Sequence, residues 1–270
     1  FAAGDYSEVY GLGRGWYHNL SVAMTMRPNK NSPVAISIFN PERGLSTFVN
    51  SSVYRYNSTD GYVWSGARPT NERGGPFTAT NSNDKLEFVP SIGWRYESGE
   101  SGDVYIFDDN GRPTSVVFRN GWRRVFQYDE RSRLARIVNN FGRSLRIEYG
   151  NAGISLVHLP DGSTVEYIYD GENRLAGTRR TGQSWRYFHY ENVNFPKYLT
   201  GITDRDGVRF AVYRYDQDGL PISTEYAGAV SKYEIIYRGA NGTTSEVQVR
   251  DPLNTVRYYR YERVKNRFSV

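Results

Sequence analysis

Eight aromatic residues in the last two thirds of this chain are spaced at nearly constant intervals. They are Phe107, Tyr128, Tyr149, Tyr169, Tyr190, Tyr215, Tyr237 and Tyr259, at steps of 21, 21, 20, 21, 25, 22 and 22 residues, and Asp follows four of them. A fixed period of this length signals a repeat architecture, in which one small unit cannot bury its apolar face alone and stacking completes the core. Repeats of this kind build surfaces and containers more readily than a single catalytic pocket. The chain therefore reads as a non-enzyme.

The repeating unit has strand chemistry. In Thr164–Leu175, Val165, Tyr167 and Tyr169 lie two apart and share one face of an extended strand. The same aromatic pairing recurs at Tyr105/Phe107, Phe126/Tyr128, Tyr213/Tyr215 and Tyr259/Tyr261. Four residues beyond the aromatic stand Gly111, Ser132, Asn173 and Gly219, where a left-handed backbone is expected. Asp at the strand end can accept backbone N–H groups two residues on and fix that turn. Asn120-Gly121, Asp161-Gly162, Asp206-Gly207 and Asn241-Gly242 mark a second set of turns. Each unit is then one hairpin, two strands with a turn at either end.

The first hundred residues are less regular but still β in character. Residues 34–39 and 46–49 flank an Asn40–Gly44 hairpin loop, and residues 53–56 and 61–64 flank Asp60 as a second hairpin. The stretch Ser65–Asp84, rich in Gly, Pro, Asn and Thr, is expected to be a long loop. The expected organisation is all-β: a lead-in segment over 1–100, continuous with an elongated array of antiparallel hairpins over 101–270.

Composition excludes several classes. Without cysteine there is neither a disulfide scaffold nor a thiolate metal site. No apolar run approaches the length of a membrane span. A net charge of +5 raises nucleic acid as a partner. However, Arg112, Arg133, Arg174, Arg186, Arg209 and Arg214 are dispersed among acids, which fits a solvated face with cross-strand ion pairs instead. Phe at position 1, and a strand opening at Tyr259 and Tyr261 so near Val270, lead us to expect a processed product or an excised fragment.

The motif Tyr128-Asp129…Arg133-Leu134, Tyr169-Asp170…Asn173-Arg174-Leu175 and Tyr215-Asp216…Gly219-Leu220 resembles the YD repeats of the Rhs family. Thr203–Asp216 looks like a complete repeat, and Asp251–Glu262 like another that lacks the customary Gly after Leu253. Gly11–Asn19 resembles the segment by which many such proteins enter their repeats. The resemblance implies a β-sheet that spirals into a hollow shell. In bacterial members such a shell can enclose a toxic C-terminal domain, relatives form the cocoon of insecticidal toxin complexes, and related repeats occur in animal adhesion proteins. It implies that this chain is one part of such a wall, in a secreted or surface-delivered protein, with the rest of the parent polypeptide as its partner.

Chemistry that would contradict this reading finds little support. Asp251-Pro252-Leu253 superficially matches the Asp-Pro-x-Gly region of Rhs autoproteases, but it lacks the glycine and runs into a strand, so a turn is expected. His18, His158 and His189 show no ligand spacing, and no Gly-x-Ser-x-Gly elbow is present. No cofactor is implied. The rival reading is a carbohydrate-binding or adhesion module, in which Trp16, Trp64, Trp94, Trp122 and Trp185 present flat faces to cell-surface glycans, with Trp64, Trp94 and Trp185 as the candidate stacking platforms. Otherwise the residues singled out are structural: Tyr128, Asp129, Tyr169, Asp170, Tyr215, Asp216, Gly111, Asn173 and Gly219.

Overall fold

The computed structural model describes residues 11–13, 16–57, 61–64, 75–80, 82–238, 244–264 and 267–269. Among these, 22 strands pair into one sheet and two form a separate hairpin. The sheet opens with β1 (Ala23–Arg27), β2 (Ala35–Asn40) and β3 (Gly44–Asn50). The separate hairpin is β4 (Tyr54–Asn57) and β5 (Gly61–Trp64). The sheet resumes with β6 (Phe77–Ala79), β7 (Lys85–Val89) and β8 (Gly93–Glu97). The repeats begin with β9 (Val104–Phe107), β10 (Pro113–Val117), β11 (Arg123–Tyr128), β12 (Leu134–Asn139), β13 (Ser144–Tyr149) and β14 (Ile154–His158). They continue through β15 (Thr164–Tyr169), β16 (Leu175–Arg180), β17 (Arg186–His189), β18 (Gly201–Thr203), β19 (Arg209–Tyr215) and β20 (Pro221–Tyr226). The last strands are β21 (Val230–Arg238), β22 (Thr244–Arg250), β23 (Val256–Val264) and β24 (Arg267–Ser269).

Pairing is antiparallel and follows chain order, apart from the step in which β3 skips the separate hairpin to pair with β6. The only helical turn among the described residues is the 3₁₀ turn Ala227–Ala229, and none of their helices is long and apolar enough to cross a membrane. The expected long loop over Ser65–Asp84 needs correction, because Phe77–Ala79 forms β6 and bridges β3 to β7. Phe77 fills the space beside Trp94, with ring centroids 5.4 Å apart, so burying that side chain draws a short strand out of a loop-like sequence. Residues 65–74, and the Asn241-Gly242 turn, lie outside the described residues.

Both rows of turns share one geometry. At Asp108, Asp129, Asp170 and Asp216 the Asp N–H donates to the carbonyl four residues on, and its carbonyl accepts from the N–H three residues on. The same pattern holds at Phe118, Asn139, Leu159 and Asp204. This is a three-residue hairpin loop ending in a left-handed residue, and Gly111, Ser132, Asn173 and Gly219 occupy that position with φ of 80°, 63°, 57° and 79°. At Gly111 a second constraint applies, because a Cβ there would sit 2.5 Å from the Met24 carbonyl oxygen. The ladder shifts register at four motif tyrosines, between Gln127 and Tyr128, Glu148 and Tyr149, Ile168 and Tyr169, and Arg214 and Tyr215, and runs unshifted at Tyr237 and Tyr259. A bulge recurring at one position re-aims the side chain the same way in each of those four repeats.

Alternation gives the sheet two unlike faces. On one face, cross-strand ion pairs join Glu166 to Arg179, Glu225 to Arg214, Glu234 to Arg250 and Glu246 to Arg260. Apart from that of the buried Glu225, these exposed pairs contribute about 0–1 kcal/mol each, so they set solubility and register more than stability. The other face is aromatic. Its main core gathers Met24, Ile36, Ile38 and Phe48 from the first strands with Trp94, Phe107, Val116, Phe126 and Ile137. The start of the sheet thus folds back over the first repeats, and the Met24 N–H donates to the Gly111 carbonyl at 3.2 Å.

Candidate functional site: the inner tyrosine ladder

The motif residues form a relay between neighbouring repeats. Asp129 Oδ1 accepts the Arg133 backbone N–H at 2.8 Å, and its Oδ2 accepts Arg133 Nε at 2.9 Å. Asp108 holds Arg112, and Asp170 holds Arg174, in the same way. Each clamped guanidinium lies over a tyrosine of the following repeat: Arg112 over Tyr128 at 5.0 Å, Arg133 over Tyr149 at 4.3 Å and Arg174 over Tyr190 at 4.9 Å. The tyrosine hydroxyl then donates back to the carbonyl of the residue that follows the Arg. These bonds are Tyr128 to Pro113 (2.8 Å), Tyr149 to Leu134 (3.0 Å) and Tyr190 to Leu175 (2.8 Å). Tyr169 donates to Ile154, Tyr215 to Leu199 and Tyr237 to Pro221. Asp216 keeps the turn by accepting the Asp218 and Leu220 N–H groups, but Leu220 stands where other repeats carry the clamped Arg.

A strap crosses this ladder. Leu12 is buried against Ile147 and Ile154, and the Gly11 carbonyl accepts both the Ile154 N–H and the Tyr169 hydroxyl. Trp16 packs its ring 4.6 Å from Phe188 and donates Nε1–H to the Tyr190 hydroxyl at 2.7 Å. The contacts of the strap end at Tyr190. Beyond it the same inner positions are half open, with Tyr233 40%, Tyr237 38% and Tyr259 38% exposed.

The electrostatics of the ladder fix one protonation state. Burial pushes the Tyr149 phenol up to about 12, with Arg133 opposing and Asp129 adding to the rise, and burial raises Tyr128 and Tyr169 likewise. Burial also acts to raise the Asp129 and Asp170 carboxyls, but hydrogen bonds from the Arg133 and Arg174 backbones and guanidinium groups outweigh it and hold both below the usual carboxylate range. At neutral pH the tyrosines are therefore fixed donors and the aspartates fixed acceptors. This is the behaviour of a structural network rather than of an acid–base pair poised near 7.

The remaining candidates are scattered. A concavity of about 1120 Å³ lies between the strap and the turn row, walled by His18, Met24, Arg112, Tyr128, Arg133 and Tyr149. His18 Nδ1 accepts the Leu20 N–H, and His189 Nε2 lies 2.7 Å from the Thr203 hydroxyl. His158 Nε2 lies 2.7 Å from Glu148 Oε1, a cross-strand pairing that the separation in sequence conceals. Among the described residues no three His, Asp or Glu side chains converge as a metal site. Asp251 Oδ1 accepts the Leu253 and Thr255 N–H groups, with Asn254 left-handed, which places it in a turn of the same kind as Asp216.

The tryptophans separate by position. Trp94 needs correction as a stacking platform: it is 1% exposed, with Phe77 and Phe88 against its ring, and has no face for a ligand. Trp185 is half-buried, with Arg179 4.7 Å above its ring and Tyr187 stacked beside it. Trp64 ends β5 opposite Tyr54, and its side chain is not among those described. Trp122, one of the five tryptophans the sequence offers as flat faces for sugars, is the exposed one among the described tryptophan side chains, at 55%. Its place directly after the Asn120-Gly121 turn accounts for the exposure, since a hairpin tip projects from the sheet.

Residues 107–144 match the RHS Repeat family model. A search of curated proteins returns no match. Among solved structures, the chain is similar to a crystal structure of TcdB2-TccC3 without its hypervariable C-terminal region, at 13% identity and a TM-score of 0.40 over 88% of this chain. The crystal structure of TcdB2-TccC3 gives 14% identity and 0.38 over 85% of this chain. The Photorhabdus luminescens Tc holotoxin pore gives 10% identity and 0.26, also over 85%. The chain spans 14%, 14% and 17% of those chains. With the Tyr-Asp motif repeated along one sheet and the same turn in successive units, the stretch 107–144 is an RHS repeat by that family model, and the units after it continue the motif.

Proposed function

We propose that this chain is a non-catalytic wall segment of a larger secreted or surface-delivered Rhs-type protein, and that it encloses or presents another segment, such as a C-terminal toxin domain. One observation carries the reading: the inner tyrosine face is covered by the strap and first strands as far as Tyr190 and by Tyr198 at Tyr215, and it then becomes half open at Tyr233, Tyr237 and Tyr259. A sheet that presents aromatic rings on one face and paired charges on the other is suited to separating an interior from solvent. The locked protonation of the ladder fits a scaffold role and offers no nucleophile or general base. Within this reading, residues 1–100 lead into and brace the array over 101–270. Tyr128, Asp129, Tyr169, Asp170, Tyr215, Asp216, Gly111, Asn173 and Gly219 are its structural joints.

The test is the intact mass of the native polypeptide, detected in source cells with an antibody against this segment. A species several times larger than 31.0 kDa is expected. A native species of 31.0 kDa would contradict enclosure, because so short a sheet cannot surround a domain.

A further inference from the structure

At the sheet edge opposite the Tyr-Asp turns, two neighbouring hairpin tips carry an aromatic pair that no core requires. Trp122 follows the tip between β10 and β11, and Phe141 stands in the tip between β12 and β13. Their ring centroids are 5.6 Å apart and edge to face, yet they remain 55% and 62% exposed. Their backbones are rigidly set, with Trp122 N–H donating to Asn120 Oδ1, Phe141 N–H to Asn139 Oδ1, and Arg123 N–H across to Asn140 Oδ1. A Cβ added at Gly121 or Gly142 would meet nothing within 4 Å, so both tips project into open solvent.

Three exposed arginines, Arg119, Arg123 and Arg143, flank the pair, and none makes an ion pair with a described residue. Elsewhere on this sheet Arg179, Arg214 and Arg250 are matched by cross-strand acids, whereas Arg131, Arg136, Arg205 and Arg257 stand apart from one another without an ion pair to a described residue. Around the patch the acids are already engaged: Asp103 by Arg43 and Asp161 by Arg180, which leaves Glu100 against three arginines. The patch is therefore rigid, convex, aromatic at its summit and cationic at its base.

We propose that this double tip docks on an anionic lipid surface, with Trp122 and Phe141 at the level of the headgroups and Arg119, Arg123 and Arg143 on the lipid phosphates and carboxylates. A convex summit cannot enclose a sugar or small ligand, which needs a concave site. It meets a flat, deformable surface well, and aromatic rings above a basic collar match the polarity gradient of a bilayer interface. The contact is peripheral and needs no span.

The test is flotation of the full chain with phosphatidylcholine vesicles containing 30% phosphatidylserine, against vesicles of phosphatidylcholine alone. Binding to the anionic vesicles that weakens with salt is expected. Arg119, Arg123 and Arg143 changed together to Gln should reduce partition by about a hundred-fold. Trp122→Ala with Phe141→Ala should reduce it by about ten-fold or more at unchanged low salt. Circular dichroism of each variant confirms its fold, and the arginine set keeps the aromatic pair as an independent arm. Equal flotation with both vesicle types, or anionic binding unaffected by both sets, would overturn the proposal. So would displacement by a soluble polyanion such as heparin from the wild type and the aromatic variant alike, since the patch would then be a polyanion site.

Discussion

The repeats over β9–β14 and those over β19–β23 are written in the same motif but live in different surroundings. In the first group the inner positions Phe107, Val116, Phe126 and Ile137 are buried beneath β1–β3. In the second, Tyr233, Tyr237 and Tyr259 occupy equivalent positions and keep more than a third of their surface in water. The hydroxyl-to-carbonyl bond persists across both groups, as Tyr128 to Pro113 and Tyr237 to Pro221 demonstrate, and the Asp turn and the bulge recur at Tyr215. Local hydrogen bonding therefore builds the array, and burial depends on what is laid over it. In a quasi-one-dimensional repeat this makes stability a property of position.

Removing a ring from each group breaks the comparison most directly. Phe107→Ala should cost about 3–5 kcal/mol in urea unfolding followed by fluorescence, whereas Tyr237→Ala should cost about 1 kcal/mol. Equal losses would mean that the cover contributes nothing.

Alkaline titration probes the covered tyrosines together. Their folded phenols titrate above the unfolded value of 10.0, so the folded state prefers the protonated form. Their stabilisation is complete below pH 10 and is lost as pH rises toward about 12, the Tyr149 value. The urea midpoint should fall across that window, and Tyr149→Phe should make the fall shallower. The aspartates act in the opposite direction: depressed carboxyls stabilise above 3.8 and lose that contribution as pH falls below it.

The Asp clamp should grade the repeats more finely. Asp170→Ala removes the acceptor of two backbone N–H groups and releases Arg174 from Tyr190, for about 2 kcal/mol, while Asp216→Ala removes backbone bonds alone, for about 1 kcal/mol. The smallest contrast is in the hydroxyls. Tyr128→Phe should cost about 1 kcal/mol by leaving the Pro113 carbonyl short of a donor, and Tyr237→Phe less than about 0.5 kcal/mol, because water replaces the bond.

Features set by near neighbours were legible in the sequence. The strand period, the left-handed positions Gly111, Ser132, Asn173 and Gly219, and the turn role of Asp251 all depend on contacts within a few residues. What escaped depends on distant partners. The β6 strand exists because Phe77 meets Trp94, and the fate of each tryptophan follows from its place relative to a strand or a tip. Trp94 alternates in phase with buried Tyr96, whereas Trp122 leads out of a turn. The reach of Arg133 to Tyr149, and of Tyr149 to Leu134, joins units a full repeat apart, and a motif read one unit at a time does not reveal it.

Amide hydrogen exchange resolved by repeat, on this chain alone and within its parent polypeptide, tests the central claim most directly. The account predicts strong protection over β9–β14 in both, and weaker protection over β19–β23 in the isolated chain that rises in the parent, where the open tyrosine face is covered. Equally weak protection of β19–β23 in both would contradict it, because the face would then be open in the native protein and the sheet would not be a wall.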